Sequence, residues 1–175
     1  MKLIAAVDKN WAIGNNGDLL YRFPEDMNFF KEITTNAGIV LMGRKTYESL
    51  NCIPLKNRIN WVLSRDKDFA KNHSEIIVFD SLDEIMRNIR DPFSGNFITD
   101  PNKICVIGGG EIYKLFLPFI DEAYITKIDS CKYEVDTYFP INLDDDPNWK
   151  LVETMIGKDC ERVGTLYSFN KYERK

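Results

Sequence analysis

Histidine is all but missing from this chain: His73 is the only one in 175 residues. A metal centre built on several imidazoles is therefore excluded, and no metal is expected. His73 lies between Asn72 and Ser74 in a polar stretch and reads as a surface-loop residue. Cysteine is sparse too. Cys52, Cys105, Cys131 and Cys160 stand far apart and none pair as C-x-x-C, so reduced thiols of a cytoplasmic protein are expected rather than a disulfide scaffold or zinc site. Long apolar runs are absent. The first, Leu3 to Val7, has five residues before Asp8, too short for a signal peptide or a membrane span. Positive charge is not in excess: the formal net charge is -4, which argues against nucleic acid or a membrane surface as partner. Repeats, low-complexity tracts and linker-like stretches are also lacking, so nothing divides the chain. Its length and 44% hydrophobic content suit one domain over 1–175 with a real core.

What is present alternates strand and helix. Strands are expected over 3–7, 39–42, 59–64, 76–79, 104–107 and 122–128, with a long loop over 9–23. Helices are expected over 24–35, 45–50, 81–90 and 111–116. Pro24 opens the first of these, at the position where its missing N–H costs nothing. Ser81 followed by Glu84 makes a capping box. The segments 150–156 and 165–172 alternate apolar and polar residues and pair as an antiparallel hairpin through a loop over 157–164. Short strands that are apolar on both sides imply an α/β fold: a mostly parallel central sheet with helices on both faces, closed by the C-terminal antiparallel hairpin. Ligands in such sheets bind beyond the carboxyl ends of the strands, where strand order reverses.

Three segments at those strand ends carry chemistry. Asp26 lies two residues into the helix opened by Pro24, on the same side as Met27 and Phe30. A carboxylate among apolar neighbours can accept two hydrogen bonds from an amidine-like edge while they cover the faces of a flat ring. In I-C-V-I-G-G-G-E-I-Y, the glycines Gly108, Gly109 and Gly110 follow a strand and precede a helix, a place where backbone can approach a pyrophosphate. The same triplet also serves as a tight turn without ligand, and it is not G-x-G-x-x-G. G-R-K-T, Gly43 to Thr46, is no P-loop either, because Arg44 intrudes and the residues between Gly38 and Gly43 are those of a buried strand. A nucleotide kinase or ATPase is therefore rejected. Arg44 and Lys45 at a helix start oppose its dipole and suit an anion. With Leu63, Ser64 and Arg65 from the next strand end they suit a phosphomonoester such as the one that distinguishes NADP from NAD. Taken singly, each of these cations also reads as ordinary solvated surface.

Together the pieces resemble the dihydrofolate reductase family over nearly the whole chain: A-I-G-N-N-G-D-L with F-P-E-D-M-N-F-F, I-V-L-M-G-R-K-T-Y-E-S-L, N-R-I-N-W-V-L-S-R, V-I-G-G-G-E-I-Y, Y-I-T-K-I-D and D-T-Y-F-P. The resemblance implies reduction of 7,8-dihydrofolate to tetrahydrofolate with NADPH, a part in one-carbon metabolism, and binding of antifolate-type inhibitors. It implies that Asp26 is the active-site acid, supported by the Thr126 hydroxyl. Ile4, Ala5, Met27, Phe30, Ser49, Leu50 and Leu55 fall at pocket walls, and Arg58 where a guanidinium pairs with the folate α-carboxylate. Ala6, Ile13, Gly14 and Leu19 fall on the nicotinamide side, the last three in a loop that closes over the site. Ile107, Gly108, Gly109, Gly110, Glu111 and Ile112 match the pyrophosphate turn, with a cis Gly–Gly bond. Tyr113 matches an aromatic beside the nicotinamide. Gly43, Arg44, Lys45, Thr46, Leu63, Ser64 and Arg65 match the adenosine-phosphate site.

The chain departs from the family at Leu20 and Tyr21, which replace a proline and a tryptophan; tyrosine keeps a flat body and a donor tip. Residues 51–54 form a longer, less Gly/Pro-rich turn. A pyrimidine reductase of riboflavin synthesis shares this type of fold and NADPH but lacks the P-E-D-M-N-F-F helix as a pterin clamp. A non-catalytic pterin-binding module is the reading that Leu20 and Tyr21 keep open, and NADPH consumption with dihydrofolate discriminates all three. A monomer is expected, since no apolar surface stripe calls for a partner.

Overall fold

The protein is described from a computed structural model covering residues 1–91, 94–96, 98–132, 134–157, 164 and 166–175. Cys160, Thr165 and most of the expected 157–164 connection lie outside the described residues. The apolar segments form strands β1 (Lys2–Val7), β4 (Ile39–Gly43), β5 (Ile59–Leu63), β6 (Ile77–Phe79), β7 (Ile104–Gly108) and β8 (Glu122–Ile128). They join β10 (Trp149–Ile156) and β11 (Tyr167–Arg174) in an eight-stranded sheet of order β10-β11-β8-β1-β7-β4-β5-β6. All pairs are parallel except β8–β11 and β10–β11. The chain runs outward from β1 to β6, returns to place β7 between β1 and β4, and then crosses β1. That reversal gathers the carboxyl ends of β1, β7 and β4 beside one another, which is where ligands bind in open α/β sheets.

Both sheet faces are apolar because alternate side chains enter different cores. Leu3, Ile39, Leu41, Ile104 and Val106 pack with Ile85 and Ile89 of α4 (Leu82–Ile89) and Phe116 of α5 (Gly110–Phe116). Ile4, Val40, Met42, Cys105 and Ile107 meet the opposite layer. That layer comprises α1 (Pro24–Ala37), α2 (Arg44–Ser49) and the helical turn α3 (Phe69–Asn72). Gly38 ends α1 in the left-handed region at φ 92° and returns its N–H to the Thr34 carbonyl. Ser81 caps α4 through the Glu84 N–H, but the Glu84 carboxylate accepts from Asp80 N rather than Ser81 N, so the box closes one residue early.

Two expectations are corrected. The stretch 9–23 is not simply a loop: β2 (Ala12–Asn15) and β3 (Asp18–Leu19) form a hairpin, and β9 (Thr137–Tyr138) adds a third strand. The signal was the Asn16-Gly17 pair, which supplies the two positive-φ positions a tight hairpin turn needs (50° and 84°). His73 is not a free surface residue. Its ring packs on Phe69 and Tyr47, and Nδ1 lies 3.2 Å from Glu75. Phe69 belongs to α3, a four-residue helical turn missed in sequence, and Tyr47 to α2.

Among the described residues Cys52, Cys105 and Cys131 are free thiols; Cys105 is buried in β7 and Cys131 exposed. Burial pushes the Cys105 thiol up to about 12, and the thiolate is the reactive form. An alkylating reagent at about pH 8 is therefore expected to label Cys131 in the folded protein and Cys105 only after denaturation, as peptide mass mapping would show. Labelling of folded Cys105 at the Cys131 rate would contradict this core.

Candidate active site

Asp26 enters the fold on the first turn of α1, where the helix dipole favours an anion. The turn packs over the sheet, so the residue is only 8% exposed. Thr126, fully buried in the middle of β8 between Ala6 of β1 and Phe169 of β11, donates from Oγ1 to Asp26 Oδ1 at 2.6 Å. Oδ2 has no hydrogen-bond partner among the described residues. Burial pushes the carboxyl above its ordinary range, and the Thr126 hydroxyl pulls it partly back. Such a group can offer one oxygen to a donor-rich edge, and the arriving positive charge would favour its ionised form.

Tyr113 stands on α5, buried behind β7. Its hydroxyl donates to the Ile4 carbonyl at 2.7 Å. Burial raises its pKa, and the neighbouring Cys105 and Asp26 add to the shift. The ring also dictates glycine at 108: a Cβ there would lie 2.9 Å from Tyr113 ring atoms, and φ is 107°. The Gly108–Gly109 peptide is cis. On the adjacent strand a Cβ at Gly43 would lie 2.8 Å from Ile112 Cγ1, so the end of β4 meets the Ile112 side chain of α5 without intervening bulk. Arg44, Lys45 and Thr46 follow Gly43 on α2, while Ser64 and Arg65 end the neighbouring β5. Arg44 is paired with Glu48 at 2.6 Å.

The second sheet closes one side. Ile13 and Gly14 are buried in β2, and a Cβ on Gly110 would lie 3.1 Å from Thr137 Cγ2, so β9 rests against the glycine turn. Two aspartates that sequence reasoning did not single out hold this sheet. Asp8 Oδ1 accepts from Asn10 N and Ala12 N, and its Oδ2 from Lys132 N; Asp136 Oδ2 accepts from Asn16 N at 2.8 Å. The spacing Asp8-x-Asn10 is the available signal, since an aspartate commonly bonds the backbone two residues on.

On the α1 side, Phe30, Leu50 and Leu55 pack with Ile4 and the lower core. Next to them a groove of about 480 Å³ is lined by Lys31, Leu50, Pro54, Leu55, Lys56 and Arg58. Arg58 donates from Nη1 to Thr34 Oγ1 at 2.8 Å and from Nε to the Lys56 carbonyl. Its remaining N–H groups face no carboxylate among the described residues. Four expected site residues are not drawn in. Leu19 is 54% exposed on β3 and Met27 is 44% exposed at the rim of α1. The Ser49 hydroxyl donates locally to the Thr46 carbonyl. The Tyr21 hydroxyl is buried without a partner among the described residues. Its electrostatic neighbours are Ser130, Asp8 and Cys131 rather than Asp26, and burial raises its pKa.

This arrangement has relatives. The family model described as dihydrofolate reductase matches residues 1–174. A dihydrofolate reductase of Bacillus subtilis (strain 168) is 37% identical over 175 residues, covering 100% of this chain and 95% of its own. One of Staphylococcus haemolyticus is 34% identical and is likewise covered over 95% of its length. Among solved structures, dihydrofolate reductase from Enterococcus faecalis complexed with NADP(H) and RAB-propyl superposes with a TM-score of 0.81 at 30% identity, covering 99% of this chain and 95% of that one.

A raised carboxyl pKa means the folded chain holds that proton more tightly than the unfolded chain. Stability therefore falls as pH climbs from the ordinary value of 3.8 through the folded value, and the whole cost is present above it. Asp26→Asn is expected to unfold at higher urea than the parent at neutral pH, with the advantage gone near about pH 3, where both forms of the parent are protonated. Equal midpoints at neutral pH would contradict the desolvation just described.

Proposed function

The chain belongs to the dihydrofolate reductase family, and on that premise we propose how its residues divide the work. The protein is an NADPH-dependent dihydrofolate reductase, converting 7,8-dihydrofolate to 5,6,7,8-tetrahydrofolate. The observation that carries our assignment is the buried Asp26 carboxylate on Thr126, at the reversal of strand order and beside the glycine turn. Asp26 binds the 2-amino and N3 edge of the pterin, with Thr126 steadying one oxygen. Ile4, Ala5, Phe30, Leu50 and Leu55 wall the ring and its linker, with Met27 and Ser49 at the exposed rim, and Arg58 takes the α-carboxylate of the tail through its unused N–H groups.

The dinucleotide takes the other half of the crevice, along the strand ends that carry Gly43 and Gly108, where Ile112 and Tyr113 leave no room for a side chain at either position. Gly108, Gly109 and Gly110, with Ile107, Glu111 and Ile112 around them, hold the pyrophosphate. Arg44, Lys45, Thr46, Leu63, Ser64 and Arg65 hold the adenosine end and select its 2′-phosphate. Ala6, Ile13, Gly14 and Tyr113 meet the nicotinamide, and Leu19 reaches it if the β2–β3 hairpin closes. Bound NADPH supplies the two electrons and hydrogen that go to pterin C6. The protein contributes proximity and orientation of two flat rings, the main component of such catalysis. The Asp26 charge favours protonation at N5 from solvent without touching that atom. We read the chain as a single domain and a cytoplasmic monomer. No helix among the described residues is long and apolar enough to cross a membrane.

Two substitutions test the assignment. Asp26→Asn is expected to lower single-turnover reduction at neutral pH by about a hundredfold or more while NADPH affinity is nearly unchanged; an unaltered rate would remove Asp26 from its role. Arg58→Leu is expected to weaken dihydrofolate and glutamate-tailed antifolates by roughly tenfold or more. A diaminopyrimidine lacking the tail should lose almost nothing, so equal losses in titration calorimetry would overturn the placement of the tail.

A further inference from the structure

Arg58 sits on a turn that does not hold itself together. Among the described residues no main-chain hydrogen bond closes 55–58, and Asn57 occupies the left-handed region at φ 61°. The missing ties come from one side chain. Asn60 Oδ1 accepts from Leu55 N at 3.0 Å, and its Nδ2 donates to the Leu55 carbonyl at 3.0 Å and the Arg58 carbonyl at 2.9 Å. The amide thus pairs with both polar groups of Leu55, as a neighbouring strand would, and grips the residue that carries the guanidinium. Asn60 is itself a firm anchor. It is 4% exposed and lies in β5 opposite Val40, while Ile59 N bonds the Gly38 carbonyl at the end of α1.

We propose that Asn60 is a positioning residue for tail recognition: by clamping residues 55–58 to β5 it presents the Arg58 guanidinium to the substrate's α-carboxylate. The inference rests on the reading that places the tail at Arg58. A bidentate guanidinium–carboxylate pair needs both N–H vectors set in one plane. Thr34 and the Lys56 carbonyl fix two of the five donors from the side. The peptide unit that follows its Cα is held from two sides, by the Ile59 N–H on the Gly38 carbonyl and by the Asn60 amide on the Arg58 carbonyl, and Asn60 is the one side chain that reaches it. The other contact, at Leu55, sets a wall residue of the same groove. One buried amide therefore aligns the apolar and the charged halves of tail binding, while lying too far along β5 from Asp26 and the glycine turn to touch the reacting rings.

Asn60→Ala in the full chain is expected to raise the KM for dihydrofolate and the Kd of a glutamate-tailed antifolate about tenfold, the loss of buried hydrogen bonds falling wholly on ground-state binding. kcat at saturation, the KM for NADPH and the Kd of a tail-less diaminopyrimidine should change less than about twofold. Asn60→Ser gives the same pattern and serves if the alanine variant is too unstable to purify. In an Arg58→Leu background, Asn60→Ala should add clearly less than its tenfold single-variant loss for the tailed ligand, because the charged group it positions is gone and only the Leu55 wall is left to disturb. Equal losses for tailed and tail-less ligands, no loss for either, or a tenfold loss that persists without Arg58 would each overturn the proposal and leave a merely structural asparagine. Failure of the underlying reading is distinguishable: the unsubstituted protein would then not reduce dihydrofolate, or Arg58→Leu alone would not discriminate the two ligands.

Discussion

One carboxylate set against a hydroxyl in the interior organises this protein. Asp26 is taken out of water by the packing of α1 on the sheet, and Thr126 of β8 gives it a single strong hydrogen bond. The balance is uneven by design of position. Desolvation favours the neutral acid, while the helix start and the hydroxyl favour the anion. A ligand edge that brings N–H donors and positive charge tips that balance, so binding and ionisation become one event. The partners come from residues a hundred positions apart in sequence, and everything that brings α1 over β8 therefore serves the site.

The strand order does most of this. Because β7 is inserted between β1 and β4 after the chain has already passed outward, three strand ends that belong to different parts of the sequence open side by side. β1 and β8 bring Ile4, Ala6 and Thr126 toward α1. β7 and β4 bring the glycines at 108 and 43. Bulk is excluded there by Tyr113 and Ile112, whose side chains already occupy the space a Cβ would need. The acid half and the backbone half of the crevice are thus built by one topological reversal.

Around this centre, irregular chain is tied down by side chains in addition to isolated backbone bonds such as Asp8 N to the Ala12 carbonyl. Asp8 gathers N–H groups from the start of β2 and from residue 132, Asp136 takes one from the hairpin turn, and Asn60 closes the turn before β5. Each replaces a main-chain partner that a strand or helix would have supplied. Loops held in this way can carry binding groups close to a site without the length or stiffness of a regular element.

Much of this was legible in order of appearance. Alternating apolar strands and helices, proline at the head of α1, the glycine triplet and the basic strand ends follow from local chemistry. The β2–β3 hairpin announced itself through Asn16-Gly17 but was hidden by the expectation of a loop, since its third strand, β9, pairs Ala12 with Tyr138 from far along the chain. The chain by itself determined which residue types stand at each strand end, because periodicity and turn chemistry are local. Only the folded structure decided that Thr126 meets Asp26, that the Tyr21 hydroxyl lies near Asp8 and Ser130, that Leu19 stays outside, and that Asn60 holds Arg58. Those outcomes depend on the direction of side chains and on the burial of polar groups, and both are set by contacts between segments that no local pattern brings together.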